Sequence, residues 1–371
     1  MKKSLKDKKH KTVALYNPYL DVMGGGERHI LSILKVLEDE GYSITIFWDE
    51  DLSDKISNIL NIKFKTLKFE PNIFIDTKHL DRLKRLEKVD LFFYVTDGSY
   101  FISSAKKNFV FCMVPNRELY HMGVINKIKT INFKFITNSI FTYKNLLKWG
   151  VKSYVIYPPI SDNFTSLEMD DDQQKEKMIL MVGRFFKHLH AKRQDIAIKW
   201  FKELKKKHTE FESFSLHLVG SQKKEDESYL LELQKLIGNE SQIFIHTNVS
   251  FEKLLNLYKK SMFYWHFTGY RIDEDIEPEK TEHLGITPLE SMAAGCITCA
   301  YEAGGPKELI KDGVNGFLFK DKYDLFAKML SIAFNQKLQK KIESIGRAYV
   351  QDNFSPKIFK ARVKEIILYQ K

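Results

Sequence analysis

A short apolar run at 12–16 reads as a strand. Gly24, Gly25 and Gly26 follow it, and then Ile30, Ile33, Leu34 and Leu37 recur at helical spacing. The next strand is predicted at 43–48, so the chain opens as strand, glycine turn, helix, strand, the unit that builds a parallel α/β sheet. Further strands are predicted at 63–68, 91–95, 108–113, 133–137 and 154–157, with Asn138 and Ser139 capping a helix that ends near Trp149 and Gly150. Pro158 and Pro159 then make a rigid exit that a sheet interior would not tolerate.

The stretch 161–177, rich in Asp, Gln and Lys, has the composition of a linker. After it the alternation restarts. Strands are predicted at 178–182, 216–219, 243–246, 262–265, 296–300 and 317–319. Helices are predicted at 195–204, from Ser250 through Lys260, from Pro306, and from Asp324 to the C-terminus with an interruption at 353–356. This pattern predicts an α/β protein with an N-terminal Rossmann-like domain at 1–160, a linker at 161–177 and a second Rossmann-like domain at 178–352. A C-terminal helix at 353–371 is expected to pack back on the first domain. Parallel sheets bind ligands at the carboxyl ends of their strands, so two such sheets are expected to face an interdomain cleft. Gly24 to Arg28, Arg184, and the stretch from Glu282 to Glu290 all fall where that cleft needs them.

Glu282 and Glu290 flank the predicted start of a short helix. Thr287 reads as its N-cap, Pro288 as its first residue and Glu290 as the partner in a capping box, with Gly295 at its end. A helix N-terminus of this kind attracts phosphate or a hydroxylated ligand. The capping box alone explains Glu290, and Glu282 read alone is a solvated loop carboxylate. Neither reading explains why both carboxylates converge on one helix mouth.

The chain carries 59 Lys and Arg against 48 Asp and Glu, a net charge of +11. Such charge fits nucleic acid, an anionic membrane surface or a phosphorylated small molecule. The lysines are spread along the chain without a nucleic-acid motif, which argues against nucleic acid. The first eleven residues are charged like the start of a signal peptide, but the following TVALY is a strand rather than a signal core. No apolar run is long enough to span a bilayer, and a cytoplasmic protein is expected, with peripheral contact at the inner face of the membrane. Three cysteines, Cys112, Cys296 and Cys299, fit a reducing compartment, and the CITCA run reads as a buried strand. Asp49 stands where a dinucleotide-binding acid would, but the glycine frame from Gly24 meets His29 at its third position. Asp273 and Asp275 imitate a metal-binding pair, for which a solvated loop is the plainer reading. No Cys/His cluster has zinc spacing, and no required metal is expected.

Taken in order, these residues resemble the family 4 retaining glycosyltransferases, which have the GT-B fold. The resemblance covers most of the chain. It rests on Gly24-Gly25-Gly26-Glu27, Asn138-Ser139, Tyr157-Pro158-Pro159, Val182-Gly183-Arg184-Phe185 and Lys192-Arg193-Gln194. It continues through the E-x7-E span from Glu282 to Glu290, Ala303-Gly304-Gly305 and the segment from Asp312 to Gly316. Each piece is weak alone, and their order carries the assignment.

The resemblance implies a nucleotide-sugar donor, GDP- or UDP-linked, whose diphosphate is gripped by Arg184 and Lys192. It places Glu282 beside the sugar ring, Glu290 on the ribose, and the amides around Gly285, Ile286 and Thr287 on sugar or phosphate oxygens. Gly25 and Gly26 belong to a ligand loop, and 243–253 resembles the base-contacting segment with His246 as a candidate. No nucleophile stands out, which implies front-face displacement onto a hydroxyl of a cell-envelope glycan or lipid-linked saccharide. There is one departure: family members often carry a histidine where FCMVP puts Met113, and His121 is out of frame. An epimerase or phosphorylase on the same fold, and a non-catalytic nucleotide-sugar binder, remain open readings.

Overall fold

The computed structural model describes residues 11–75, 77–167, 175–187 and 191–369. The described chain divides into two compact units, Met1–Pro158 with Phe359–Lys371, and Pro159–Ile358. The charged segment 1–10 and the central part of the linker, 168–174, lie outside the described residues.

The first unit is built on a seven-stranded sheet. Its strands are β1 (Lys11–Tyr16), β2 (Tyr42–Phe47), β3 (Lys68–Glu70), β4 (Leu91–Val95), β5 (Lys107–Cys112), β6 (Phe133–Thr137) and β7 (Ser153–Val155). Their order is β3-β2-β1-β4-β5-β6-β7, and every pairing is parallel. Ile30, Ile33, Leu34 and Leu37 bury one face of the helix Gly25–Asp39 against Val13, Leu15, Ile44 and Ile46. The returning C-terminal segment adds Phe359, Val363, Ile366 and Ile367 to the same core. Ser139 caps the helix Ile140–Lys148 by accepting from the Thr142 amide at 3.0 Å.

The second unit has six strands, β8 (Glu176–Val182), β9 (Ser215–Gly220), β10 (Ile243–Thr247), β11 (Ser261–His266), β12 (Ile297–Tyr301) and β13 (Phe317–Phe319). They run in the order β10-β9-β8-β11-β12-β13, again all parallel. Trp200, Phe201, Trp265, Phe267 and Phe319 dominate its core. β1 and β8 are therefore equivalent: each is the first strand of its unit and lies inside its sheet.

Two expectations need correction. The strand predicted at 63–68 is displaced to Lys68–Glu70. Phe64 and Leu67 do pack against the core, but the Lys65 and Thr66 amides donate to the buried Glu38 carboxylate rather than to a neighbouring strand. The last helical stretch breaks twice: Asn335 ends one helix and caps Gln336–Phe354 through the Leu338 amide, and Ser355 separates that helix from Pro356–Val363. Asp273 and Asp275 are exposed, as the solvated-loop reading expects, while Glu274 between them accepts from the Gly304 amide at 2.6 Å and pairs with Lys307.

Candidate active site

Glu282 lies in the loop between β11 and the helix Ile286–Ala293, its carbonyl held by the Gly305 amide at 2.7 Å. Its side chain is 17% exposed, and the Lys192 Nζ sits 2.5 Å from Oε2. His266, the last residue of β11, brings Nε2 to 3.1 Å from the same oxygen, off the line of a good hydrogen bond. The loop carboxylate is thus a largely covered, paired group, contrary to the solvated reading.

Lys192 reaches Glu282 by passing over Gly183. A Cβ at that position would stand 2.5 Å from Lys192 Cγ, closer than real carbon contacts permit. The turn itself is fixed by buried Gln194, whose Nε2 donates to the carbonyls of Gly183 at 3.1 Å and Arg184 at 3.2 Å. The neighbouring cations are engaged elsewhere. Lys187 pairs with Glu232, and Arg193 forks onto Asp195 at 3.0 and 3.1 Å. Arg184 lays its guanidinium 4.3 Å from the centre of the Phe186 ring, with Nε 3.7 Å from the buried Asp226 carboxylate.

Burial alone would raise the Glu282 carboxyl. The Lys192 ammonium, with His266 adding to it, overrides that effect and holds the carboxyl well below the usual carboxylate range. Burial lowers His266, and Glu282 offsets this only in part. The centre is therefore an ionised carboxylate fixed between a cation and a neutral imidazole at physiological pH.

The helix after Glu282 starts earlier than predicted. Gly285 is its N-cap at φ 109°, a left-handed conformation open to glycine, and Ile286 is its first residue. Thr287 and Pro288 lie inside the first turn, so the predicted Thr287 cap is not formed. Glu290 instead accepts from the Tyr258 hydroxyl at 3.1 Å. Tyr258 is buried on the helix Phe251–Lys260, which Ser250 caps through the Lys253 amide.

In the first unit, Gly25 and Gly26 are the first two residues of their helix rather than an open loop. Glu27 turns back to accept from the Gly24 amide at 2.9 Å. Met113 covers Gly26 so closely that a Cβ there would lie 2.0 Å from Sδ. His29 is buried edge-on against Phe111, with ring centres 4.9 Å apart, and Asp49 accepts from the Asn72 amide. His121 is exposed and holds Asn126 through its carbonyl.

The remaining candidates have local partners. His246 of β10 brings Nε2 to 3.0 Å from His217 Nδ1, and Asp273 accepts from the Asp275 amide. Cys112, Cys296 and Cys299 are buried free thiols. Among the described residues no group of three or more His, Cys, Asp and Glu is placed to hold a metal ion. Sequence reasoning missed His266 and Tyr258. His266 had one signal, its place at the carboxyl end of an apolar strand; Tyr258 had none beyond helical spacing.

Compared with known proteins, residues 168–349 match the family described as glycosyl transferases group 1. The chain is 31% identical over 233 residues to "GDP-Man:Man(3)GlcNAc(2)-PP-Dol alpha-1,2-mannosyltransferase" of Xenopus laevis, a match that takes in 57% of this chain and 45% of that protein. The chain thus spans less than half the length of that relative. It is also 26% identical to an uncharacterized glycosyltransferase of Methanocaldococcus jannaschii, across 96% of this chain and 97% of that one. Among solved structures, a glycosyltransferase from Rickettsia africae superposes with a TM-score of 0.72 at 20% identity, over 97% of this chain and 100% of that one. Anabaena HepE in complex with UDP superposes at 0.70 and 17% identity, over 96% and 98%. These likenesses extend over both sheets and establish the GT-B fold. Residues 168–349 thus resemble the group 1 glycosyl transferases, and both units have the fold of solved glycosyltransferases.

Proposed function

We propose that this chain moves a hexose from a GDP- or UDP-linked donor to a hydroxyl of a saccharide or glycolipid, with retention at the anomeric carbon. The observation that carries this reading is the Lys192–Glu282–His266 cluster beside the open N-terminus of the helix Ile286–Ala293. An ionised, immobile carboxylate beside a sugar ring orients hydroxyls and favours the oxocarbenium-like charge of a breaking glycosidic bond. Such a carboxylate is a poor proton donor, so in this mechanism the departing phosphate takes the acceptor proton as the new bond forms on the same face. Lys192 and Arg184 meet the diphosphate charge, the amides around Gly285, Ile286 and Thr287 hold phosphate or sugar oxygens, and Glu290, oriented by Tyr258, holds the ribose.

GDP-mannose is the first donor to test, because curated relatives carry GDP-Man in their names; UDP-glucose is the second, because HepE is known in complex with it. The relatives' names also favour a lipid-linked saccharide acceptor. A cytoplasmic site of action is part of this reading, because three cysteines, an odd number, suit a reducing compartment. With basic residues neutralising the diphosphate, no divalent metal is required, and activity is expected to survive EDTA.

The deciding experiment is nucleotide release from a panel of nucleotide sugars, with and without saccharide acceptors, and the anomeric configuration of the product read by NMR. Transfer with retention supports the reading. Turnover of donor with no acceptor incorporated favours an epimerase or phosphorylase. Met113 over Gly26 favours one further reading, a non-catalytic binder, which tight donor binding without turnover would establish.

A further inference from the structure

The helix Val124–Lys129 buries none of its residues. Helices of this length normally persist because an apolar face is covered. Here Val124 is 75% exposed, Ile125 69% and Ile128 62%, and Ile131 just beyond the helix is 86% exposed. Ile102 is also exposed, and its loop is tied to this segment where Asn132 Nδ2 donates to the Ser103 carbonyl at 2.9 Å. Ile140 and Leu147, on the next helix, and Tyr154 of β7 continue the exposed apolar series.

The same part of the chain has an unusual charge pattern. Residues 121–160 contain no Asp or Glu, whereas 48 acids spread evenly over 371 residues would place about five in such a stretch. The stretch carries Lys127, Lys129, Lys134, Lys144, Lys148 and Lys152. Basic and aliphatic side chains thus share the stretch that forms the β6–β7 edge of the first unit, and the stretch itself holds no acid; Glu365 of the C-terminal segment approaches β7 paired with Arg362, which donates to the Val155 carbonyl.

We infer that this edge docks on an anionic lipid bilayer, with the helix Val124–Lys129 lying in the interface, its isoleucines in the acyl boundary and its lysines among the headgroups. A lipid surface supplies both chemistries at once. A nucleic acid would use the lysines and leave the isoleucines wet. A symmetric dimer through this patch would set two lysine-rich surfaces against each other, which like-charge repulsion opposes. Surface contact also fits the absence, among the described residues, of a helix long and apolar enough to cross a membrane. The inference does not depend on sugar transfer, because docking needs neither donor nor acceptor.

The test is co-sedimentation of the full chain with vesicles of phosphatidylcholine alone and of phosphatidylcholine mixed about two to one with phosphatidylglycerol. Each lysine near an anionic surface is worth about fivefold in partitioning. Binding is therefore expected to be strong on the mixed vesicles and weak on neutral ones. The pair Lys127→Glu and Lys129→Glu should lower it more than about tenfold, and Ile125→Asn with Ile128→Asn should also release the protein. All four side chains are outside the core, so unchanged thermal melting will show that each variant is folded. Equal binding to both vesicle types, or wild-type binding by either variant pair, would overturn the inference. So would sedimentation equilibrium in which the isoleucine pair converts a lipid-free dimer to a monomer.

Discussion

The same place in the two sheets is used in opposite ways. After β1 the chain turns through Gly24–Gly26, and after β8 it turns at Gly183, so both glycines stand where an α/β sheet meets a ligand. The first turn is closed by its own side chains: Glu27 holds the Gly24 amide, Met113 covers Gly26, and His29 is buried among aromatics. The second carries a lysine across the glycine and delivers it to a carboxylate from a distant loop. A glycine after the first strand thus makes room for a side chain in both units, and the identity of that side chain sets the character of the turn. A thioether makes packing, and an ammonium makes a charged centre.

This contrast can be broken from either side, and the largest effect is expected at the charged turn. Lys192→Ala should cut donor turnover by about 10²–10³, the usual loss when one preorganised electrostatic contact is removed. Gly183→Ala should approach the same loss, because its methyl takes the path of the lysine stem; steady-state kinetics of both variants will show whether the glycine serves the lysine. At the first turn, Gly26→Ala should lower unfolding free energy by about 1–3 kcal/mol through overpacking, and Met113→Ala in the same chain should restore most of it. Urea titration checks that pair.

The two covered titratable groups sharpen the comparison through pH. Burial takes His29 from 6.5 down to about 3, and its Nε2 has no hydrogen-bond partner. The unfolded chain therefore binds a proton near pH 6.5 that the folded chain refuses until about pH 3, so stability falls as pH drops through that window. By pH 5 the loss is about 2 kcal/mol, and His29→Phe should abolish it. Glu282 has the opposite pairing. Its depressed carboxyl contributes stability that is full above the ordinary carboxylate range and is lost only as the pH falls well below it. The smallest effect is expected from Tyr258→Phe, which frees Glu290 from one hydrogen bond and should raise the donor KM less than about tenfold.

Much of this architecture was legible because a parallel strand buried on both faces is a short apolar run between turn residues. β4, β6 and β13 fall where the runs place them, and the four helical positions from Ile30 to Leu37 are all buried. The features that escaped depended on partners distant in sequence. The alternation before β3 is real, but a buried Glu38 takes its amides, and nothing in a local pattern reveals that. The start of the helix after Glu282 was misread because Thr287-Pro288 imitates a cap while Gly285, in a left-handed turn, performs it. Glu282 and Lys192 were legible as residues, but their contact, across ninety positions, was not. His266 is an ordinary strand-end residue until the fold sets it beside that pair.

The central claim is that Lys192 and Glu282 act as one unit, and a double-mutant cycle on donor turnover tests it most directly. The kcat/KM for sugar transfer from GDP-mannose, or from whichever donor the panel selects, would be measured for the wild type, Lys192→Ala, Glu282→Gln and the double variant. Each single change is predicted to cost about 10² or more, and the double variant little beyond either. Near-normal turnover in Glu282→Gln, or losses that simply multiply, would contradict the account.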